Sequence, residues 1–128
     1  MQPGEIYLGY KGSEILLPPE GRTVKPEYIE QVRGGETASG RYVEDVLWIK
    51  KAWTIEYEIM QGEFLERMVE LYESGQFLNL IIVNRDGSIE EYEVKMTLIP
   101  PVRWKVTGPW YWQGGAINLR QVMPSVTR

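Results

Sequence analysis

The chain has 128 residues, a formal net charge of −4, and 43% hydrophobic residues including five tryptophans. That length suits one domain with a real core, and that hydrophobic fraction excludes a disordered chain. Cysteine and histidine are both missing from the sequence, which excludes disulfides and thiolate catalysis and removes the usual general base and the commonest transition-metal ligand.

In chain order, the opening MQPGEIYLGYKG has neither the basic nor the apolar region of a signal peptide. No later run reaches the roughly 18–20 apolar residues of a membrane span. A soluble protein made in the cytoplasm, without membrane insertion, is expected. Ile6-Tyr7-Leu8 and Ile15-Leu16-Leu17 flank Lys11-Gly12-Ser13, which predicts a small hairpin. Residues 18–26 hold three prolines and a glycine and read as a loop. Residues 27–33 read as a strand whose inward face is open. A polar, glycine-rich arm follows, and after it comes the clearest period-two signal of the chain. Lys51, Trp53, Ile55, Tyr57 and Ile59 fall on one face; Lys50, Ala52, Thr54, Glu56 and Glu58 fall on the other. This is a half-buried antiparallel strand with one wet side.

Residues 61–75 give the one convincing helix, with Phe64, Leu65, Met68, Leu71 and Tyr72 in a single apolar stripe. Glu63, Glu66 and Arg67 point outward, and Gly75 is placed to end the helix in a left-handed cap. Phe77 to Val83 reads as a buried strand, Asp86-Gly87 as a turn, and Tyr92, Val94, Met96 and Leu98 as the apolar face of its partner. One or two closing strands around Gly108-Pro109 and a frayed tail, MPSVTR, complete the chain. The order of elements predicts a mainly β (α+β) domain spanning residues 1–128, an antiparallel β-sandwich or small barrel flanked by one α-helix.

Phosphate loops, dinucleotide fingerprints, zinc spacings and nucleophile elbows are absent from the sequence. No catalytic, cofactor-binding or metal-binding residue is assigned, and no cofactor is expected. Carboxylates cluster at Glu44-Asp45, Glu56/Glu58 and Glu90-Glu91/Glu93. Glu56 and Glu58 share a strand face and could flank a glycosidic bond, but like charges on a wet strand face are far commoner. The aromatic group Trp104, Trp110, Tyr111 and Trp112 has two readings, a stacking platform for sugars or core and interface anchors. The acidic balance and scattered basic residues argue against specific nucleic-acid binding.

The order of features also carries a resemblance. An extended strand reaches Arg33 and leads to the tip TASGR. There follow the basic-then-aromatic strand KKAWTIEYEIM, the acidic amphipathic helix EFLERMVELY, a strand pair closed by DG, and the terminal stretch YWQGGAINLRQV. Over roughly residues 24 to 122 this resembles the small tail proteins of long-tailed bacteriophages, the tail-tube and distal-tail kind. The resemblance implies a non-enzymatic virion structural protein forming a homo-oligomeric, hexameric ring about a channel, in a tail tube or distal tail and baseplate hub. Its partners would be copies of itself and other tail proteins such as tape measure, tube or hub components. It would reside in the virion tail, with DNA passing through the channel.

It implies, too, that residues 34–45 form a projecting hairpin arm that reaches a neighbour, with Gly34, Gly35, Glu36, Thr37, Ala38, Ser39, Gly40 and Arg41 as its tip. On this reading Glu56, Glu58, Glu91 and Glu93 line the channel and repel phosphates. The alternatives are a carbohydrate-binding β-sandwich module using Trp104, Trp110 and Trp112, and a small glycan-acting enzyme built on Glu56 and Glu58.

Overall fold

The computed structural model describes residues 2–36, 42–60, 62–105, 110–124 and 126–127. The elements are β1 (Ile6–Gly9), β2 (Ile15–Leu16), β3 (Arg22–Glu36), β4 (Tyr42–Tyr57), α1 (Gly62–Glu73), β5 (Leu78–Val83), β6 (Ile89–Ile99), β7 (Val102–Lys105), β8 (Trp110–Gln113), β9 (Ala116–Gln121) and β10 (Val126–Thr127). The fold is mainly β with one helix, as the sequence predicts. Eight strands form one antiparallel sheet in the order β10-β4-β9-β6-β5-β1-β2, with β3 also paired to β4; β7 and β8 make a separate two-stranded ribbon.

Directly opposed residues in antiparallel strands share a face, so the register identifies the core without further assumption. Leu8, Leu80 and Tyr92 are opposed in turn across β1, β5 and β6, and Met96, Leu119 and Trp53 across β6, β9 and β4. These residues join Ile55, Tyr57, Leu78, Val94, Leu98 and Ile117 in one apolar cluster with Met68 and Leu71 of α1. One helix thus covers the apolar side of the sheet. Leu8, Leu80, Met68, Val94 and Ile117 lose all contact with solvent there.

Of the helical stripe, Met68 and Leu71 are buried, and Phe64 and Leu65 pack on the cluster half-buried. Tyr72 lies 44% exposed at the margin, so the buried stripe is narrower than the spacing predicts. Phe64 meets Tyr57 edge-on, with ring centroids 5.0 Å apart. Gly75, at φ 68°, closes the helix in the expected left-handed conformation and donates its N–H to the Tyr72 carbonyl at 3.2 Å.

Several expectations need correction. Only residues 18–21 form a loop, since β3 already begins at Arg22 and contains Pro26. Proline is tolerated there because β3 is an edge strand, where a missing N–H costs no ladder bond. Arg22 also ties the loop down, donating to the carbonyls of Leu17 at 3.3 Å and Gly4 at 3.1 Å. Ile59 is 60% exposed because β4 ends at Tyr57 and the alternation stops; Met60 fills the core position instead. Phe77 is exposed, just ahead of β5. Val126 and Thr127, assigned to a frayed tail, pair with Ile49 and Trp48 of β4.

The helix supplies the core's lid. Met68→Ala or Leu71→Ala is therefore expected to lower the unfolding free energy by roughly 2–5 kcal/mol, the range for emptying a core site. Denaturant titration of the two variants checks this, and a change near zero at both positions would overturn the placement of the helix.

Candidate assembly site

β3 and β4 form the longest pairing in the molecule, from Arg22 opposite Tyr57 to Glu36 opposite Tyr42. A strand has two edges, and β3 occupies one edge of β4 throughout. The other edge is shared end to end: β9 pairs with Ala52 to Glu56, and β10 with Trp48 and Ile49. From Val46 to Tyr42, β4 has no second neighbour among the described residues. The hairpin therefore leaves the sheet as a two-stranded ribbon of five residue pairs, Val32–Val46 to Glu36–Tyr42. At about 3.4 Å per residue, the paired part alone spans about 14 Å.

Of the expected arm residues, Gly34, Gly35 and Glu36 lie in β3, opposite Glu44, Val43 and Tyr42. Thr37, Ala38, Ser39, Gly40 and Arg41 lie outside the described residues. Where it is described, the arm is strand-built on both sides, Gly34 to Glu36 against Tyr42 to Glu44. Its glycines disguise it, because they read as breakers but here continue a ladder.

At the root of the ribbon the structure assembles a group that the sequence does not reveal. Lys51 donates from Nζ to the Tyr92 hydroxyl at 2.9 Å, and its Nζ lies 4.0 Å from Glu90 Oε1. The bond to the Tyr92 hydroxyl raises the Lys51 pKa, so the ammonium is retained. Tyr92 also stacks at a tilt on Trp53, with centroids 4.9 Å apart. Tyr28, opposite Lys51, is 72% exposed. With Pro26 and Glu27 these side chains line a recess of about 260 Å³. It is below the usual volume of a ligand pocket and suits a single side chain. No spacing rule links positions 51 and 92; only β9, threaded between β4 and β6, brings them together.

The opposite face of the sheet is wet and mixed in charge. Glu56, Glu91 and Glu93 stand on it, but so do Lys25, Lys95 and Arg120, the last two directly opposed. Glu56 pairs with Lys25 at 3.2 Å, both about half exposed, a contact worth at most about 1 kcal/mol. Glu91 and Glu14 each accept from Asn79 Nδ2, at 2.7 and 2.8 Å, and Asn79 is itself buried. The Asn79 bond is the largest influence lowering the Glu14 pKa. Glu58 lies past the end of β4, so it does not share the strand row with Glu56. Its backbone N–H donates to the Gly21 carbonyl at 2.9 Å, and its carbonyl accepts from the Gly114 N–H at 2.7 Å.

The tryptophans do not share one row. Trp104 is opposite Tyr111, whereas Trp110 is opposite Lys105 and Trp112 opposite Arg103. Alternation along β7 and β8 puts Trp104 in a different register row from the other two.

The ribbon has no third strand to hold it among the described residues, and a two-stranded hairpin is marginal alone. Backbone amides at 32–36 and 42–46 are therefore expected to exchange with solvent at least tenfold faster than those at 52–56 in the isolated chain, a ratio of order ten being about 1.4 kcal/mol of local stability. Equal protection of the two segments in hydrogen-exchange mass spectrometry would contradict this topology.

A comparison with family models finds no match, and neither does one with curated proteins. Among solved structures, the chain is similar to one in the tail of an empty gene transfer agent (GTA) particle, determined by helical refinement with C6 symmetry. The two are 11% identical with a TM-score of 0.60, over 98% of this chain and 96% of that one. Nearly the whole chain thus shares the fold of that chain.

Proposed function

We propose that this protein is a structural subunit of a phage-like tail, that it assembles with copies of itself into a ring, and that the β3–β4 ribbon is the arm by which one subunit engages the next. The observation that carries the reading is the ribbon itself, which continues for five residue pairs past the last strand that could support it. A two-stranded ribbon is marginal alone, and a second copy gives it a surface to pack on. The likeness to a chain from a C6-symmetric tail supports a ring, and a hexamer is the expected stoichiometry.

In such a ring the wet sheet face, with Glu56, Glu91 and Glu93, is the surface suited to a solvated channel. Lys25, Lys95 and Arg120 temper its repulsion of phosphates. Glu58 sits off that row and is a weaker candidate for the lining. The other expected partners are tail components stacked on the ring, and the expected location is the virion tail. The carbohydrate-binding alternative is weakened by the register, which splits the three tryptophans between two rows.

Deleting Gly35 to Gly40 tests the arm. The fold is expected to survive, since surface loops tolerate such changes and loop-closure entropy varies slowly with length. A melting temperature within a few degrees of the parent is expected together with loss of rings or tubes in sedimentation and electron microscopy. Unimpaired assembly, or a collapsed monomer, would return the ribbon to an ordinary hairpin.

A further inference from the structure

β3 and β4 run in step from Arg22–Tyr57 to Gln31–Trp48, and again from Val32–Val46 to Glu36–Tyr42. Between these runs β4 has one residue more than β3. Leu47 has no opposed residue, so the register shifts there, between Gln31 and Val32. Two residues on one strand facing one on the other make a β-bulge, which bends the bulged strand and sharpens its twist.

The position of the bulge is informative. β10 pairs with Ile49 and Trp48, and among the described residues Trp48 is the last of β4 with a strand on both edges. The extra residue follows at once, on the first residue beyond the three-stranded part. A bend placed within the sheet would distort three strands. At this point it turns only the ribbon, and everything beyond inherits the new direction. Over a lever of about 14 Å, a turn of roughly 20° moves the far end by about 4.8 Å, one strand spacing.

We infer that Leu47 is the aiming residue of the assembly arm: its backbone, present as one unmatched residue at the root of the ribbon, directs the arm onto a second copy of this chain. The inference rests on the reading of the ribbon as an assembly arm. The register makes it separable from that reading. If Leu47 is removed, Val46 adjoins Trp48 directly, just as Val32 adjoins Gln31. Every ribbon pair then keeps its partner and its face, and the bend alone is lost. A register slip would instead turn the arm's faces over.

The test uses three variants of the full chain: deletion of Leu47, Leu47→Val, and deletion of Gly35 to Gly40. Deletion of Leu47 is expected to leave melting and the slow exchange of amides 52–56 unchanged, and to weaken ring formation at least tenfold in sedimentation, the scale of loss expected when a bulge that sets direction is removed. Leu47→Val keeps the extra residue and is expected to assemble like the parent. Parental assembly after deletion of Leu47 overturns the inference, whereas parental assembly after loss of the tip overturns the arm reading itself. Equal failure of Leu47→Val and the deletion also overturns it, because the side chain and not the inserted backbone would then matter. Should the Leu47 deletion unfold the chain, a glycine inserted after Gln31 supplies an opposed residue and removes the bulge from the other strand. Rings from that variant would likewise overturn the inference.

Discussion

Everything in this molecule depends on how the edges of β4 are occupied. Along Ala52 to Glu56 the strand is bonded on both sides, by β3 and β9, and its Trp53 and Ile55 enter the core. Through β9 it is joined to β6, and through β6 to β5, β1 and β2. Beyond Trp48 one edge is empty among the described residues, and the same strand becomes half of an arm. One continuous strand therefore passes from the most supported to the least supported environment in the fold. The core anchors the arm mechanically, because any force on the ribbon is carried by the ladder into Trp53, Ile55 and Tyr57. The anchor is finished at its far end by Tyr57, whose hydroxyl donates to the Pro18 carbonyl at 2.9 Å and whose burial pushes its pKa up to about 12.

Where a segment buries one face against the core, its period shows in the sequence. Val94, Met96 and Leu98, the alternation through Trp53 and Tyr57, the Asp86-Gly87 turn and the Met68–Leu71 stripe are all legible for that reason. Where a segment buries neither face, the period carries no signal, and the reading fails in a consistent way. Arg22 to Gln31 is an edge strand with mostly exposed side chains, and Pro26 makes its first part, Arg22 to Pro26, look like a loop. Val126 and Thr127 are held by backbone pairing to β4, which no side-chain pattern announces. The glycines at 34 and 35 stand in a ladder that they would ordinarily weaken. An arm at this place is expected from resemblance; its strand character and its bulge follow only from register.

The root of the ribbon is illegible for a different reason. Lys51 falls in the apolar row of β4, and in isolation its charge there looks like an error in the pattern. The structure resolves it: the ammonium reaches the Tyr92 hydroxyl and Glu90 at the margin of the core and lies 5.1 Å from the centre of the Tyr92 ring. A charge at such a margin closes the core without being buried in it. The wet face shows the same economy. Asn79 is buried among polar neighbours and satisfied by two carboxylates, and no buried side-chain polar atom among the described residues is left without a partner.

A self-assembling subunit must fold alone yet leave its largest contact unfinished. Folding alone asks for a closed core, which the sheet and one helix supply here among the described residues. Unfinished contact asks for a segment whose pairing is weak until a neighbour arrives, so that ordering entropy is charged at docking and not at folding. A two-stranded extension of a core strand meets both demands at once. Its root is fixed to within a residue by the ladder, while among the described residues its outer part has no third strand to make it stable in isolation. A bulge at the boundary adds the remaining requirement, a defined direction, at the cost of one unmatched residue. If the ribbon is an assembly arm as proposed, direction set by backbone count does not depend on any particular contact side chain, so the arm's surface could change with its partner while its aim stays the same.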